Sequence, residues 1–169
     1  MKIIRTLHIT PDEFFDRMMS DVLSDLARTV GEGVVVPDRA SFAAGLSFVK
    51  YPEDRYRATT VHIVSYEDGR LYEARMESMA DTVTVRYAAE EDPKGVRVVF
   101  EQTMASFDAK RKGPLKSFSE AVYLGRMAEQ LLTLERHVLD ARAGIEHAPA
   151  PQPPERKLAK KLMEKMARD

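Results

Sequence analysis

The spacing of apolar residues changes along the chain and predicts the order of its secondary-structure elements. Residues 2–9 alternate, with Ile3, Leu7 and Ile9 on one side, which predicts a β-strand. The following apolar residues recur every three or four positions, which predicts an amphipathic helix. They are Phe14, Phe15, Met18, Met19, Val22, Leu23 and Leu26. This helix is expected to begin after Thr10-Pro11-Asp12-Glu13, a capping box with proline at the first helical position, and to end near Gly31.

The segment between Gly31 and Gly45 has no clear period. Its Gly33–Pro37 stretch predicts a short extended piece, and Asp38 is placed to cap one helical turn through Phe42 and Ala44.

From Leu46 onward the pattern has a period of two, which predicts an antiparallel sheet with one apolar and one polar face. The predicted strands span about 46–51, 56–66, 71–79, 82–90 and 96–106. Asp68-Gly69 indicates a hairpin with a two-residue type I′ turn, which sets Tyr66 opposite Leu71. Asp92–Gly95 indicates a second hairpin.

The second hairpin has a definite expected register. With Asp92–Gly95 as the loop, Phe100 lies opposite Tyr87 and Met104 opposite Val83 on the apolar face. Arg86 then faces Glu101 on the polar face, as a cross-strand ion pair.

A long helix is predicted from a second capping box, Ser117 with Glu120, to about Arg142, ended by Gly144. A basic loop, Lys110-Arg111-Lys112, precedes it. The expected organisation is one domain over residues 1–143, a proline-rich linker over 144–154 and a basic amphipathic tail over 155–169.

Two segments resemble a known superfamily. Residues 5–15 resemble the opening strand and capped helix of START-like, or Bet v 1-like, proteins, and residues 63–74 resemble their mid-sheet hairpin. The opening segment, residues 45–51 and the basic loop are similar to the bacterial DUF3284 family. The resemblance covers roughly residues 1–142. It implies an α+β helix-grip fold, in which a curved antiparallel sheet of about six strands wraps around a long C-terminal helix. It also implies a ligand cavity between the two, with no catalytic residues to carry over.

Composition narrows the range of functions. Lys and Arg number 26 against 27 Asp and Glu, so the chain has no global field to attract nucleic acid. It has no cysteine, hence no disulfide or thiolate site. No apolar run is long enough for stable membrane insertion or for a signal peptide, so a cytoplasmic location is expected.

Motifs of catalysis and metal binding are missing from the sequence. His8, His62, His137 and His147 lack partners at metal-ligand spacing. Neither a nucleophile elbow nor a phosphate-binding glycine loop occurs. We therefore expect no metal, no cofactor and no catalytic residue, although an enzyme using Tyr72 or Tyr87 as a general acid stays an open alternative.

Polar groups placed by alternation among apolar ones on the inner face have the composition of a small-molecule pocket. The expected lining residues are Thr59, Val61, Ile63, Ser65, Tyr72, Met76, Val85, Tyr87, Phe100, Gln102, Met104, Val122 and Gly125. The alternative is a filled core in which these polar groups satisfy one another.

Two functions follow from these alternatives. The first is a non-enzymatic binding domain for a small apolar or amphipathic molecule held between the sheet and the last helix. The second is a structural or interaction protein with a filled core that docks a partner through its last helix or tail, an arrangement that would allow a homodimer.

Overall fold

The computed structural model describes residues 1–31, 33–51, 58–105 and 114–145, and for residues 114–119 it describes the backbone alone. The basic loop at Lys110–Lys112, positions 56–57 of a predicted strand, and most of the linker and tail lie outside these ranges. The strands are β1 (Lys2–Leu7), β2 (Ser47–Lys50), β3 (Thr59–Glu67), β4 (Leu71–Ser78), β5 (Thr82–Asp92) and β6 (Gly95–Met104). The helices are α1 (Pro11–Thr29) and α2 (Pro114–Arg142).

The six strands form one curved sheet in the order β1-β6-β5-β4-β3-β2, and all neighbours are antiparallel. Both helices contribute apolar side chains to the core that the sheet's inner face builds. This is the helix-grip architecture predicted from the sequence. Within the described ranges, neither helix is both long and apolar enough to cross a membrane.

Helix α1 begins as its capping box predicts. The Thr10 hydroxyl oxygen accepts a hydrogen bond from the Glu13 amide at 3.2 Å, and the Glu13 carboxylate accepts one from the Thr10 amide at 2.8 Å. Two of the otherwise unpaired amides at the helix start are satisfied in this way. The helix ends at Thr29, and its apolar side contacts β2, β5 and β6.

The most tightly packed part of the core lies where β1, the start of α1 and the start of β6 meet. Its side chains are at most 1% exposed: Leu7, Ile9, Phe14, Phe15, Met19, Val96 and Val98. Gly95 enters this region at a φ of +137°, where a Cβ atom would lie 2.2 Å from the Leu7 carbonyl oxygen. Only glycine lets the β5–β6 turn approach β1 so closely.

The β5–β6 hairpin has the predicted register. Val83 pairs with Met104, Tyr87 with Phe100, and Arg86 with Glu101. The Arg86 guanidinium donates to the Glu101 carboxylate at 3.1 Å, and Lys2 pairs with the same carboxylate at 2.8 Å. These two cations hold the pKa of Glu101 below its usual value. The sheet is therefore one-sided, as the alternation predicts.

The β3–β4 hairpin departs from its prediction near the turn. Ile63 lies opposite Ala74 as expected, but a β-bulge then shifts the register, so that Tyr66 pairs with Tyr72 and not with Leu71. Gly69 has a φ of +72° and Asp68 does not have a positive φ, so the turn is not type I′. The predicted turn type and the predicted Tyr66–Leu71 pairing are therefore wrong.

The loop before β2 contains the predicted capped turn, whereas α2 begins earlier than predicted. Asp38 caps a turn by accepting from the Ser41 amide at 2.9 Å, and Phe42 after it is buried. Helix α2 begins at Pro114, so Ser117 lies inside the helix and the predicted N-cap there is wrong.

The chain divides into two compact units, residues 1–139 and 140–169. Of the second unit, the structure describes residues 140–145. Within it, Gly144 has a φ of +70° and ends α2 as predicted, because its amide donates to Ala141 and the Ile145 amide donates to Asp140.

Candidate functional site

The inner face of the sheet carries most of the residues predicted to line a pocket. Val61, Ile63, Tyr72, Phe100 and Gln102 are buried there. Four others are half-buried: Thr59, Met76, Val85 and Met104. Tyr87 is also half-buried and stands at the centre of this face, opposite Tyr72 on β4 and Phe100 on β6.

Ser65 does not belong to this face. Because the β3 bulge inserts one extra residue, Ser65 pairs with Glu73, which points to the polar side of the sheet. A one-residue slip reverses the face of each side chain beyond it. The inward placement of Ser65 was wrong, and Tyr66 takes the inward position, with its ring 5.0 Å from that of Phe42.

Val122 and Gly125 lie on an exposed side of α2. The buried ridge of this helix is Met127, Leu131 and Glu135, which recur every four residues. At 100° per residue Val122 and Gly125 fall on the far side of that ridge. Val122 is 44% exposed, and a Cβ atom at Gly125 would meet no atom within 4 Å. Their expected inward placement was wrong, and sequence reasoning missed Met127.

A cleft of about 680 Å³ lies between α1 and α2 above Tyr87. Its apolar lining is Met18, Val22, Tyr87, Met127, Leu131 and Leu134. Its polar lining is Arg17, Asp21, Asp25, Arg126, Glu129, Gln130, Thr133 and His137. Of the predicted lining residues, Tyr87 alone belongs to this cleft. Met18 and Val22, one helical turn apart on the apolar side of α1, carried a signal for it, but the predicted lining was taken from the sheet and the last helix alone.

Charges on the α1 side of the cleft are already compensated. Arg17 pairs with Asp21 at 2.9 Å, and Asp25 pairs with Arg28 at 3.1 Å and with Lys50. Arg17 Nε is buried without a hydrogen-bond partner. The cleft therefore combines an apolar floor with a rim of both charge signs, which suits an amphipathic molecule better than a simple ion.

Three polar side chains on the inner face of the sheet make no hydrogen bond to any residue that the structure describes. They are the hydroxyl groups of Tyr72 and Tyr87 and the amide of Gln102. Arg17 Nε is the one unpartnered polar atom of the described side chains that is wholly closed off, so the polar atoms of these three side chains keep some exposure to solvent. Burial raises the pKa of Tyr87 to about 12 and raises that of Tyr72 further. Both tyrosines therefore stay protonated and able to donate.

Aromatic rings surround these hydroxyl groups. The Tyr87 ring lies 4.9 Å from Phe100, 6.4 Å from Tyr72 and 6.4 Å from Phe14, measured between ring centroids. Such contacts fix the rings while the hydroxyl ends stay free to meet another molecule.

Glu135 anchors the C-terminal half of α2 to the start of α1. Its carboxylate is nearly buried and accepts a hydrogen bond from the His8 amide at 2.5 Å, with His8 Nδ1 at 3.1 Å from the same oxygen. Leu131, Leu134 and Val138 pack on the core along the same stretch of helix. This contact fixes one wall of the cleft.

Histidines and carboxylates do not gather into a metal site within the described ranges, where no group of three such ligands occurs. His62 lies on the polar face of the sheet, with Nδ1 at 2.7 Å from the Ser47 hydroxyl. His147 lies outside the described residues.

Solved structures with the same fold share little sequence with this chain. The Bet v 1 allergen Ara h 8.0201 superimposes with a TM-score of 0.52 at 14% identity, covering 83% of this chain and 97% of its own. A protein of unknown function from Staphylococcus aureus gives a TM-score of 0.51 at 14% identity, covering 85% and 94%. A protein from Mesorhizobium loti gives 0.51 at 11%, covering 83% and 96%. At these identities the similarity shows a Bet v 1-like fold.

Family membership rests on a broader match. No protein of curated function matches the chain. The model of the family described as "Domain of unknown function (DUF3284)" matches residues 1–119, well over half of the chain. The protein is therefore a member of the DUF3284 family with a Bet v 1-like fold.

Proposed function

We propose that this protein is a non-enzymatic binding domain for a small apolar or amphipathic molecule. The observation that carries the proposal is the cleft of about 680 Å³ above Tyr87, whose hydroxyl group has no hydrogen-bond partner among the described residues. Small-molecule sites are clefts of about 300–1,000 Å³ with apolar walls and a few convergent polar groups. The site differs from the one expected from the sequence, because α1 and α2 supply its walls and the sheet supplies its floor.

Energetics favours an occupant over a filled core. A buried polar group without a partner costs about 1–3 kcal/mol, and the inner face holds three polar side chains on adjacent strands that have no partner among the described residues. In a filled core these groups would pair with one another. Among the described residues Tyr72, Tyr87 and Gln102 do not, which favours water or a ligand as the source of the missing hydrogen bonds.

The setting of the site fits a carrier or sensor better than a catalyst. Tyr72 and Tyr87 are poor general acids near neutral pH, because burial raises the pKa of both well above that range. The balanced charge and the missing cysteines suit a protein that works in the cytoplasm without a metal or another cofactor.

Blocking the cleft tests the proposal. Leu134 lines the cleft, whereas Leu132 on the same helix is 47% exposed, so Leu134→Trp and Leu132→Trp form a matched pair. We expect the neutral dye N-phenyl-1-naphthylamine to bind the native protein with a rise in fluorescence. Leu134→Trp should lose this binding and Leu132→Trp should keep it. Equal binding by both variants, or none by the native protein, would contradict the proposal. Native mass spectrometry of the purified protein provides the search for the natural ligand.

A second function is favoured by a different surface of α2. Val122, Leu132 and Leu139 are 44%, 47% and 37% exposed. Exposed apolar side chains of this size on one helix suit self-association, so the occupant we infer is a second copy of the chain. Light scattering should then show a dimer that Leu132→Glu converts to a monomer without loss of helical signal. A native monomer would exclude this function.

A further inference from the structure

We propose that the outer edge of strand β1 pairs with the β1 strand of a second copy of the chain, in an antiparallel register that places Ile4 opposite Ile4 of that copy. This inference goes beyond the proposed function, because β1 contributes no residue to the lining of the cleft.

The sheet uses only half of the backbone hydrogen-bonding groups of β1. The Met1 ammonium donates to the Gln102 carbonyl oxygen at 2.7 Å, and the Gln102 amide donates to the Met1 carbonyl oxygen at 2.9 Å. In an antiparallel ladder, pairs that exchange hydrogen bonds alternate with pairs that do not. Lys2, Ile4 and Thr6 therefore direct their amide and carbonyl groups away from β6. Those backbone groups make no hydrogen bond to any residue that the structure describes.

The two edges of the sheet differ in how well they are covered. Strand β2, at the other edge, has four residues, and the end of α1 covers part of it. Val30 forms a bridge with Lys50, and the Tyr51 amide donates to the Thr29 carbonyl oxygen at 2.6 Å. Strand β1 has six residues, and most side chains of positions 2–6 are exposed. Proteins commonly keep edge strands short or covered, because an open edge is a template for another strand. The β1 edge therefore suits pairing with a further strand.

The side chains of β1 favour one register with a second copy. Even-numbered residues must face even-numbered ones, so that the outward backbone groups meet and the two outer faces stay on the same side. With Ile4 at the two-fold axis, Lys2 lies opposite Thr6 and Arg5 lies opposite Ile3. A shift of two residues in one direction would bring the two Arg5 side chains together, which is unfavourable. A shift in the other direction would leave only residues 2–4 of the strand paired.

Charge and apolar surface along β1 support the same occupant. The Lys2 ammonium pairs with Glu101 of its own sheet at 2.8 Å, so its charge is already compensated. The Ile4 side chain is 43% exposed, and in this register two β-branched side chains would pack against each other at the axis. A strand that complements itself in this way fits a symmetric dimer, in which the same surface is used twice.

Single cysteines test the register, because the native chain has none. In the proposed pairing the two Ile4 Cα atoms lie about 5.5 Å apart, inside the range of about 4.4–6.8 Å that a disulfide spans. The two Thr6 Cα atoms would be offset by about 13 Å along the strands. On mild oxidation we expect Ile4→Cys to form a covalent dimer on a non-reducing gel and Thr6→Cys to stay monomeric.

A matched pair of lysine variants tests the interface in the full chain. Ile4→Lys places two like charges opposite each other at the axis and should weaken self-association at least about tenfold in sedimentation velocity. Val64→Lys is the control, because Val64 is 47% exposed on β3, which has a neighbouring strand on both sides. It should leave the dimer of the native protein intact. Thermal melts show whether both variants keep the fold.

The exposed side of α2 is a rival surface for the same second copy, so Leu132→Glu belongs in the same experiment. Dissociation by Ile4→Lys with a dimer kept by Leu132→Glu would support pairing through β1. The opposite result would overturn it and assign self-association to α2. A native monomer, or equal disulfide formation by the two cysteine variants, would also overturn it. None of these results depends on binding of N-phenyl-1-naphthylamine, so the proposed function is tested separately.

Discussion

The inner face of the sheet is packed very differently at its two ends, and strand β6 passes through both. Its first inward residues, Val96 and Val98, are fully buried against β1 and α1, in what we call the packed end: Leu7, Ile9, Phe14, Phe15, Met19, Val96 and Val98. Phe100 and Gln102, which follow on β6, are also buried. The inward side chains are half-buried at the far end of β6 and on the neighbouring strands, in what we call the open end: Met76, Val83, Val85, Tyr87 and Met104.

This difference separates the residues that specify the fold from those available for function. Protein interiors are close-packed, and at the packed end every large side chain meets that standard. At the open end the inward side chains stay half-buried, and the Tyr87 hydroxyl group has no hydrogen-bond partner among the described residues. Departures from full packing and polar satisfaction concentrate at functional sites, because a stable remainder of the fold can offset their cost.

The largest effect is expected from truncating methionines at the two ends. Met19→Ala removes a fully buried side chain from the packed end and should lower the free energy of unfolding by about 2–5 kcal/mol. Met127→Ala truncates a side chain that borders the cleft, where part of its surface already faces open space, so it should cost less than half as much. Urea denaturation measures both. Equal losses would mean that the two ends are packed alike.

Glycine substitutions should give the next largest contrast. Gly95→Ala places a Cβ atom 2.2 Å from the Leu7 carbonyl oxygen and 2.9 Å from that of Ile9, both backbone atoms that cannot move aside cheaply. We expect a loss of about 3 kcal/mol, since overpacking and backbone strain add. Gly125→Ala in α2 meets no atom and should stabilise by about 0.5–1 kcal/mol through helix propensity. Thermal melts would contradict the assigned packing if both changes had the same sign.

The two hairpins show how much of the fold the sequence predicts. The β5–β6 register follows from alternation on both sides of a tight turn, and the predicted pairs are the observed pairs. In β3–β4 the same reasoning holds from Val61 to Ile63 and fails after the bulge. A bulge adds one residue to a strand but leaves little trace in the alternation of polar and apolar residues. Ser65 and Tyr66 can each face either side of the sheet, so the sequence does not reveal the shift. Alternation therefore predicts a face only as far as the strand stays regular.

The site was harder to predict than the fold because it depends on helix rotation. Apolar residues cover more than one side of α2, so the sequence does not say whether Val122 or Met127 faces the sheet. The observed orientation is fixed by long-range contacts such as Glu135 with His8. Tyr72, Tyr87 and Gln102, by contrast, lie on regular strands, and their inward placement was predictable from alternation and is confirmed.

A smaller effect is expected from removing the unpaired amide. Gln102→Leu replaces a 4% exposed polar side chain with an apolar one of similar size and should raise the free energy of unfolding of the ligand-free protein by about 1 kcal/mol. Gln130→Leu at the exposed rim of the cleft is the control and should change it by less than about 0.5 kcal/mol. If Gln102→Leu were instead strongly destabilising, its amide would have to be satisfied in the free protein.

The smallest effect on stability at neutral pH is expected from Tyr87→Phe at the open end. No hydrogen bond to a described residue is lost, so stability at pH 7 should change little. Burial raises the pKa of Tyr87 from 10.0 to about 12 in the folded protein. A group whose folded pKa is raised contributes stability that is complete below the unfolded pKa and is lost as pH rises, here between pH 10 and about 12. The native protein should therefore lose stability faster than Tyr87→Phe between pH 9 and pH 11, as measured by urea denaturation at each pH. Tyr51→Phe, at an exposed site, should follow the native curve. If Tyr87→Phe follows it too, the Tyr87 hydroxyl is hydrated in the free protein, and the open end is then wetter than the geometry of the cleft implies.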